Sequence, residues 1–108
     1  AVCNKLPIKI IILNNGYLGM VRQWQELFYK RRYSGTCLDT SPDFVRLAEA
    51  YGAVGMRITE KKEVRPALEK ALSIDNTVVM DFMVEKEENV FPMVPAGEAI
   101  NRMIGGMA

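Results

Sequence analysis

A run of apolar residues near the start of the chain, followed by a short polar loop and a helical pattern, constrains the fold most strongly. Ile10–Leu13 are four consecutive apolar residues preceded by Ile8, and they do not alternate with polar residues. Such a run is typical of a strand covered on both faces in a parallel sheet. Asn14-Asn15-Gly16 interrupts the run, and apolar residues then return at helical intervals. The sequence therefore predicts a strand at Ile8–Leu13 and a helix at Leu18–Lys30.

The Asn-Gly pair in this loop also permits a β-hairpin, because Asn-Gly between apolar segments is the strongest short hairpin signal. In that alternative, Tyr17–Val21 would pair with Ile10–Leu13. The second arm, however, contains Gly19 and continues with glutamine and glutamate side chains that show no period of two. The helical period lasts three turns instead, so a strand, a loop and a helix are predicted.

Two further strands alternate with two helices along the rest of the chain. Ser41 and Pro42 predict a helix start with serine as the N-cap, and Gly52 predicts the end of that helix. The remaining predicted elements are a strand at Ala53–Ile58, a helix near Lys61–Ile74, a strand at Asn76–Val84 and a short closing helix at Ala99–Ile104. The order βαβαβ predicts an α/β fold with a parallel sheet and helices on both faces.

All of residues 1–108 are predicted to belong to part of one domain. Three strands bury little surface, and the most apolar of them begins almost at the first residue. We therefore expect a fragment whose preceding strands belong to a longer protein.

Charge and residue content exclude several classes of function. Fourteen basic and thirteen acidic residues give a net charge of +1, which offers no bulk attraction for nucleic acid or an anionic membrane. No apolar run approaches the roughly 20 residues that span a bilayer. The absence of histidine excludes Ser-His and Cys-His nucleophile pairs and most zinc sites within the chain. Cys3 and Cys37 follow no disulfide pattern and predict a reducing, cytoplasmic compartment.

The polar loop after the first predicted strand is the candidate ligand site, because ligands of open parallel sheets bind at the carboxyl ends of the strands. The Asn15 amide oxygen and the Tyr17 carbonyl are neutral oxygen donors of the kind that suit Mg²⁺. Gly16 and Gly19 allow the backbone to approach a diphosphate, and the first N–H groups of the following helix would face its charge. An Asn-Asn pair at a strand end is, however, more often a turn or a helix cap.

Longer motifs give this loop a family context. The segment NNGYLGMVRQWQELFY resembles the second half of the thiamine diphosphate motif, which begins with Gly-Asp-Gly and ends with Asn-Asn after an apolar strand. Together with RYS, SPDFVRLAEAYG and PMVPAGEAI, it resembles the large catalytic subunit of acetohydroxyacid synthase, also called acetolactate synthase. The resemblance covers essentially the whole chain, as the C-terminal portion of the thiamine-diphosphate-binding domain.

This resemblance implies a transferase that decarboxylates pyruvate on thiamine diphosphate and joins the hydroxyethyl group to a second 2-ketoacid in branched-chain amino acid biosynthesis. It implies thiamine diphosphate and Mg²⁺ as cofactors, with FAD bound mainly outside this chain. The implied partners are pyruvate, the second 2-ketoacid, further catalytic subunits in a homo-oligomer and a small regulatory subunit, in a bacterial cytoplasm. Neither nucleic acid nor a membrane is expected as a partner.

The resemblance also assigns roles to single residues. It makes the Asn15 side chain and the Tyr17 carbonyl the Mg²⁺ ligands. The residues implied to line the cofactor are Asn15, Gly16, Tyr17, Leu18, Gly19 and Met20, and those implied to line the substrate channel are Val21, Trp24, Phe28 and Ala96. From the helical period alone Trp24 would be a core residue, and the resemblance reverses that interpretation.

Parts of the implied site are missing from the chain. It contains no Gly-Asp-Gly motif, and the glutamate that activates thiamine in the family belongs to another domain. No catalytic residue is therefore assigned, and the chain alone is expected to be inactive. Two alternatives stay open: another thiamine-diphosphate-dependent decarboxylase or carboligase with the same loop, and a non-catalytic α/β module for binding or subunit interaction.

Overall fold

The computed structural model describes residues 1–38 and 42–105, and these residues form an α/β fold. In chain order the elements are β1 (Lys9–Asn14), α1 (Gly19–Phe28), α2 (Phe44–Ala50), β2 (Val54–Ile58), α3 (Val64–Ser73) and β3 (Val78–Met83), with a 3-10 turn at Lys61–Glu63 before α3. The strands pair in the order β1-β3-β2, and both pairings are parallel. The predicted fold class is confirmed. The hairpin is excluded, because β1 pairs with β3 and the residues after the loop form a helix.

The described chain forms two compact units. The first contains the described residues of Ala1–Gly16 and Asp39–Glu85, and the second contains those of Tyr17–Leu38 and Lys86–Ala108. The sheet, α2 and α3 therefore belong to the first unit, and α1 belongs to the second. The boundary falls inside the predicted cofactor loop.

The core of the first unit lies between α3 and one face of the sheet. Alternate side chains of a strand share a face, so Val78, Met80 and Phe82 of β3 form one apolar row. Ile58 of β2 and Ala71 of α3 are buried against this row. Burial of these side chains from β2, β3 and α3 is the main apolar contact that stabilises the unit.

Helix α2 packs on the opposite face of the sheet, so the first unit has helices on both faces, as predicted. The side chain of Ala48 in α2 is buried. Gly55 of β2 permits the close approach of α2, because a β-carbon at this position would lie 2.7 Å from the Val45 carbonyl oxygen. The absence of a side chain at Gly55 therefore determines how closely α2 packs on the sheet.

Helix α2 begins later than predicted because Asp43, not Ser41, caps it among the described residues. The Asp43 carboxylate accepts the backbone N–H groups of Val45 and Arg46 at 3.0 and 3.2 Å. The first helical residue is Phe44. Ser41 itself lies outside the described residues.

The start of the third predicted helix agrees with the structure. The side chains of Glu60 and Glu63 form a reciprocal capping box around the 3-10 turn, and α3 continues from Val64. Hydrogen bonds from the N–H groups of Thr59 and Glu60 hold the pKa of Glu63 below its ordinary value. Pro66 is the third residue of α3, where a missing N–H donor costs little.

Two predictions about the edge of the sheet and the end of the chain are wrong. β1 is not covered on both faces, because the core beneath α3 is formed by residues of β2 and β3 and includes none of β1; Ile11 is 52% exposed and Leu13 is 70% exposed. Ala99–Ile104 does not form a helix. Instead, the backbone of Ile104 pairs with Met93 through hydrogen bonds of 3.0 and 2.7 Å in an antiparallel bridge. Six residues are too few for a stable isolated helix, so pairing with another segment is favoured.

Two further observations concern helix length and the cysteines. None of the helices in the two described ranges is long and apolar enough to cross a membrane. Cys3 and Cys37 are both exposed free thiols.

Candidate functional site

The turn after β1, in the first unit, is fixed by the side chain of Asn14. Its amide oxygen accepts the N–H of Gly16 at 3.0 Å, and its amide nitrogen donates to the Asp81 carboxylate at 3.0 Å. Gly16 has a φ of +69°, a left-handed conformation that glycine adopts without steric cost. Asn14 is therefore bonded at both ends of its amide, and the half-buried Asn15 follows it in a turn of fixed shape.

A buried carboxylate anchors this turn to the sheet. Asp81, in the central strand β3, is only 1% exposed and accepts a hydrogen bond of 3.2 Å from the Arg57 side chain of β2. Arg57 also donates to the Asp43 carboxylate at 2.8 Å. Hydrogen bonds to these two carboxylates raise the pKa of Arg57, and the bond to Asp43 has the larger effect. The four side chains Asn14, Asp81, Arg57 and Asp43 thus form one continuous polar network.

At the N-terminus of α1, in the second unit, the N-cap residue forms no side-chain hydrogen bond within the part of the chain that the structure describes. Leu18 occupies the N-cap position without a side-chain hydrogen bond, and its own N–H donates to the Thr36 carbonyl at 2.9 Å. Leu18, Gly19 and Met20 are exposed, and Tyr17 forms an isolated bridge with Cys37. Backbone N–H groups at a helix start lack acceptors within the helix and can bind an anion.

A cavity of about 600 Å³ lies beside α1 in the second unit. Met20, Trp24, Phe28 and Tyr29 line one side of it, and Met93–Ala96 line the other. Trp24 is 46% exposed, so the indole forms part of the cavity wall and not of a buried core. The structure therefore brings together Met20, Trp24, Phe28 and Ala96, which are predicted site residues from distant parts of the sequence.

Val21 does not line the cavity that contains Ala96. It lies instead on a neighbouring cavity of about 420 Å³, which it shares with Trp24 and Phe28. Trp24, Phe28 and Tyr29 line both cavities, whereas Val21 lines only the smaller one and Ala96 only the larger one.

The donors predicted for Mg²⁺ lie in different units, Asn15 in the first and Tyr17 in the second. Both residues are half-buried and take part in interactions within the structure. Within the described ranges, no group of three or more histidine, cysteine or acidic side chains could hold a metal ion. Neutral oxygen donors without a carboxylate cluster fit a hard cation whose charge is partly balanced by bound phosphate.

The polar side of α1 was not assigned a role from the sequence. Arg22 and Gln23 are buried, whereas the apolar residues of the helix are partly exposed. Arg22 bonds to Glu26 and Glu87, and its guanidinium lies 4.8 Å from the centre of the Tyr33 ring. Although burial lowers the pKa of Arg22, its hydrogen bond to the Glu87 carboxylate raises it, and the net shift is upward. No local sequence signal identifies Glu87 as a partner of Arg22, because the two residues are 65 positions apart.

Comparison with known proteins places this geometry in a family. Residues 1–82 match the family described as thiamine pyrophosphate enzyme, C-terminal TPP binding domain. The acetolactate synthase large subunit of Corynebacterium glutamicum is 51% identical over 104 residues, which cover 92% of this chain and 17% of that protein. The acetolactate synthase isozyme 2 large subunit of Escherichia coli is 45% identical over 100 residues, covering 93% of this chain and 18% of that protein.

A solved structure gives the same result at the level of the fold. The thiamine diphosphate-dependent 4-hydroxybenzoylformate decarboxylase of Rhodococcus jostii is similar with a TM-score of 0.74 and 30% identity. The match covers 82% of this chain and 17% of that protein, so the chain spans less than a fifth of each of these three relatives. Because the family match extends over most of its length, the chain belongs to the thiamine pyrophosphate enzymes, as a C-terminal TPP-binding domain.

Proposed function

We propose that the chain is the cofactor-binding, C-terminal portion of an acetolactate synthase large subunit. In the full-length enzyme, pyruvate would be decarboxylated on thiamine diphosphate and its two-carbon unit joined to a second 2-ketoacid in branched-chain amino acid biosynthesis. The names of the relatives that are 51% and 45% identical to the chain support this proposal. Only one-sixth to one-fifth of their length is matched, so activity is proposed for a longer protein.

One structural observation carries the proposal: the cavity beside α1 unites Met20, Trp24 and Phe28 with Ala96. Concave sites lined mainly by apolar and aromatic side chains are typical of small-molecule binding. A 2-ketoacid has a short alkyl group that suits such a wall and a charged end that needs polar partners. The cavity therefore supports a substrate channel in which Trp24 contacts the alkyl portion of the ketoacid.

The proposed roles in cofactor binding concern the loop and the start of α1. The Asn15 amide oxygen and the Tyr17 carbonyl would bind Mg²⁺, and Gly16–Met20 would line the cofactor. The exposed position of Leu18, Gly19 and Met20 supports this role, because N–H groups at a helix start bind phosphate. Thiamine diphosphate, when bound, supplies the carbon centre that holds electrons after decarboxylation. The chain's own residues bind and orient the cofactor and shape the channel.

Other parts of the enzyme would come from outside this chain. The proposed activating glutamate, the Gly-Asp-Gly aspartate and most of the FAD site belong to other segments or to a neighbouring subunit. A homo-oligomer of catalytic subunits is proposed on that ground. The term large subunit in the names of relatives supports an additional small regulatory subunit.

A second candidate is a thiamine-diphosphate-dependent decarboxylase that releases an aldehyde. The similarity to the Rhodococcus decarboxylase favours it, at 30% identity. Its identity is lower than that of the acetolactate synthase subunits, so the carboligase is the better-supported function.

The experiment that separates the two functions transfers the chain into full-length relatives. In one hybrid the chain replaces the matched segment of the Corynebacterium large subunit, and we term this protein the chimera. In a second hybrid it replaces the matched segment of the Rhodococcus decarboxylase. We expect acetolactate formation by the chimera, no aldehyde release by the second hybrid, and no pyruvate turnover by the 108-residue chain alone. Aldehyde release by the second hybrid, with an inactive but folded chimera, would support the second candidate instead. Turnover by the chain alone would show that the expected inactivity is wrong.

A further inference from the structure

We propose that Gln23 is a positioning residue that sets the width of the cavity beside α1. It acts by fixing the segment that forms the wall opposite Trp24. Its contact with that segment is observed, and the consequence for substrates rests on the proposed function.

The side chain of Gln23 is bonded at both ends of its amide. It is only 2% exposed. Its amide oxygen accepts the Val90 N–H at 2.8 Å, and its amide nitrogen donates to the Val90 carbonyl at 2.9 Å. The same nitrogen lies 3.3 Å from the sulfur of Met93. The Gln23 side chain therefore makes two hydrogen bonds with the backbone of Val90, one as acceptor and one as donor, as a residue of a paired β-strand does.

The segment held by Gln23 is the wall of the cavity. Met93 contacts the Gln23 amide, and Met93–Ala96 line the cavity. Met93 contacts Gln23 through its side chain, and its backbone is paired with Ile104 through two hydrogen bonds. The wall is therefore fixed from two directions, and Gln23 provides the attachment to α1.

Trp24 adjoins Gln23 in the sequence and lies on the same helix, and it forms the facing side of the cavity. Helix α1 therefore contains both Trp24, which lines the cavity, and Gln23, which bonds to the segment that lines it opposite Trp24. A change in the length or strength of that bond would alter the gap between Trp24 and Ala96. One methylene in an apolar pocket changes kcat/KM by about 10- to 200-fold, so a change in this gap would alter discrimination between substrates that differ by one methylene.

Gln25 provides a matched control on the same helix. Its side chain bonds the backbone of Ser34 at 2.9 and 3.3 Å and the Thr36 hydroxyl at 3.2 Å. It thus fixes a different segment with the same chemistry. Methionine has a similar volume to glutamine and lacks its hydrogen bonds, so Gln23→Met and Gln25→Met remove equivalent interactions at two places.

The first measurement is amide hydrogen exchange in the chain. We expect Gln23→Met to accelerate exchange of the Val90 N–H about tenfold or more, since its acceptor is lost. Gln25→Met should accelerate exchange at Ser34 and leave Val90 unchanged. Unchanged exchange at Val90 in Gln23→Met, or equal acceleration at both sites in both variants, would overturn the inference. If Gln23→Met does not fold, Gln23→Leu, which also lacks the acceptor for the Val90 N–H, is compared in its place with the same expected result.

The second measurement uses the chimera. We expect Gln23→Met to change the ratio of kcat/KM for 2-oxobutanoate and pyruvate as second ketoacid by about three- to tenfold, below the roughly 10- to 200-fold limit for one methylene. Gln25→Met should leave this ratio unchanged. Faster Val90 exchange with an unchanged ratio would show that Gln23 is merely structural and would overturn the inference. An inactive unmodified chimera would contradict the proposed function, and the exchange measurement would still decide whether Gln23 fixes the wall.

Discussion

At the scale of single residues, the two adjacent asparagines after β1 differ in their contacts. Both polar atoms of the Asn14 amide form hydrogen bonds within the fold: the oxygen accepts the Gly16 N–H, and the nitrogen donates to the buried Asp81 carboxylate. Asn15 is the side chain that the family resemblance assigns to Mg²⁺. The contacts of Asn14 fix the turn, and Asn15 is the next residue in that turn.

We predict that Asn14→Ala destabilises the first unit. The substitution leaves the buried Asp81 without one of its donors, and a lost partner of a buried polar group costs about 1–3 kcal/mol. Unfolding of the chain in urea measures this loss. Asn4→Ala, at an exposed position, should change the stability by no more than about 0.5 kcal/mol. Equal stability of the two variants would contradict the assigned role of Asn14.

The sequence predicts where the polar pair lies but not what each member contacts. A strand followed by Asn-Asn-Gly is recognisable locally. The partner of Asn14 is Asp81, which lies 67 positions later and becomes adjacent only through the parallel pairing of β1 and β3. Gln23 was missed for the same reason, because Val90 is also 67 positions away.

At the scale of secondary-structure elements, local pattern predicted all three strands and the three helices of the described fold. The bounds of β1 and α1 differ from the prediction by two residues or fewer. The predicted closing helix is absent because Ile104 pairs with Met93, and no local signal reveals such a distant partner. The burial of β1 was also predicted wrongly, because α3 packs on residues of β2 and β3 and the local pattern does not show which strands a helix covers.

The packing of α2 on the sheet leads to a prediction for Gly55→Ala. The new methyl group would lie 2.7 Å from the Val45 carbonyl oxygen and 2.9 Å from its α-carbon, so the helix backbone would have to move. Overpacking of this kind costs about 1–3 kcal/mol. Gly105→Ala is the control, because a methyl group there would have no described atom within 4 Å apart from those of its chain neighbours. Thermal unfolding should separate the two variants; equal midpoints would contradict the close approach of α2.

The helix caps predict that the first unit loses stability in acid. Hydrogen bonds from the Arg46 N–H, from Arg57 and from the Val45 N–H hold the pKa of Asp43 below its ordinary value of 3.8. The pKa of Glu63 is likewise held below its ordinary value of 4.5. A carboxylate with a lowered pKa stabilises the fold fully above its ordinary pKa, and this stabilisation is lost as the pH falls through the folded value.

We therefore expect the urea midpoint to fall as the pH decreases below about 4.5. Asp43→Asn should reduce that dependence, because asparagine can still cap α2 but does not titrate. The midpoints of the two proteins are compared from neutral pH to about pH 3. An identical pH dependence would show that Asp43 does not contribute to it.

At the scale of the whole molecule, the described chain consists of two compact units whose boundary lies in the predicted cofactor loop. Of the two residues proposed to bind Mg²⁺, Asn15 belongs to the first unit and Tyr17 to the second, which also contains α1 and the cavity. The family match and the sequence identities place both units within the C-terminal portion of a thiamine diphosphate enzyme. Catalysis is proposed only for a protein that adds the missing glutamate and Gly-Asp-Gly segment.

We propose that Asn15 binds the Mg²⁺ that holds thiamine diphosphate. Mg²⁺-dependent binding of thiamine diphosphate by the chimera tests this proposal most directly. Calorimetric titration of thiamine diphosphate at increasing Mg²⁺ concentrations gives the concentration for half-maximal binding. Asn15→Ala removes an oxygen ligand and should raise this concentration about tenfold or more. Asn15→Asp retains an oxygen ligand and should bind nearly as the unmodified chimera does. If Asn15→Ala folds and binds thiamine diphosphate at the same Mg²⁺ concentration as the unmodified chimera, the claim is contradicted.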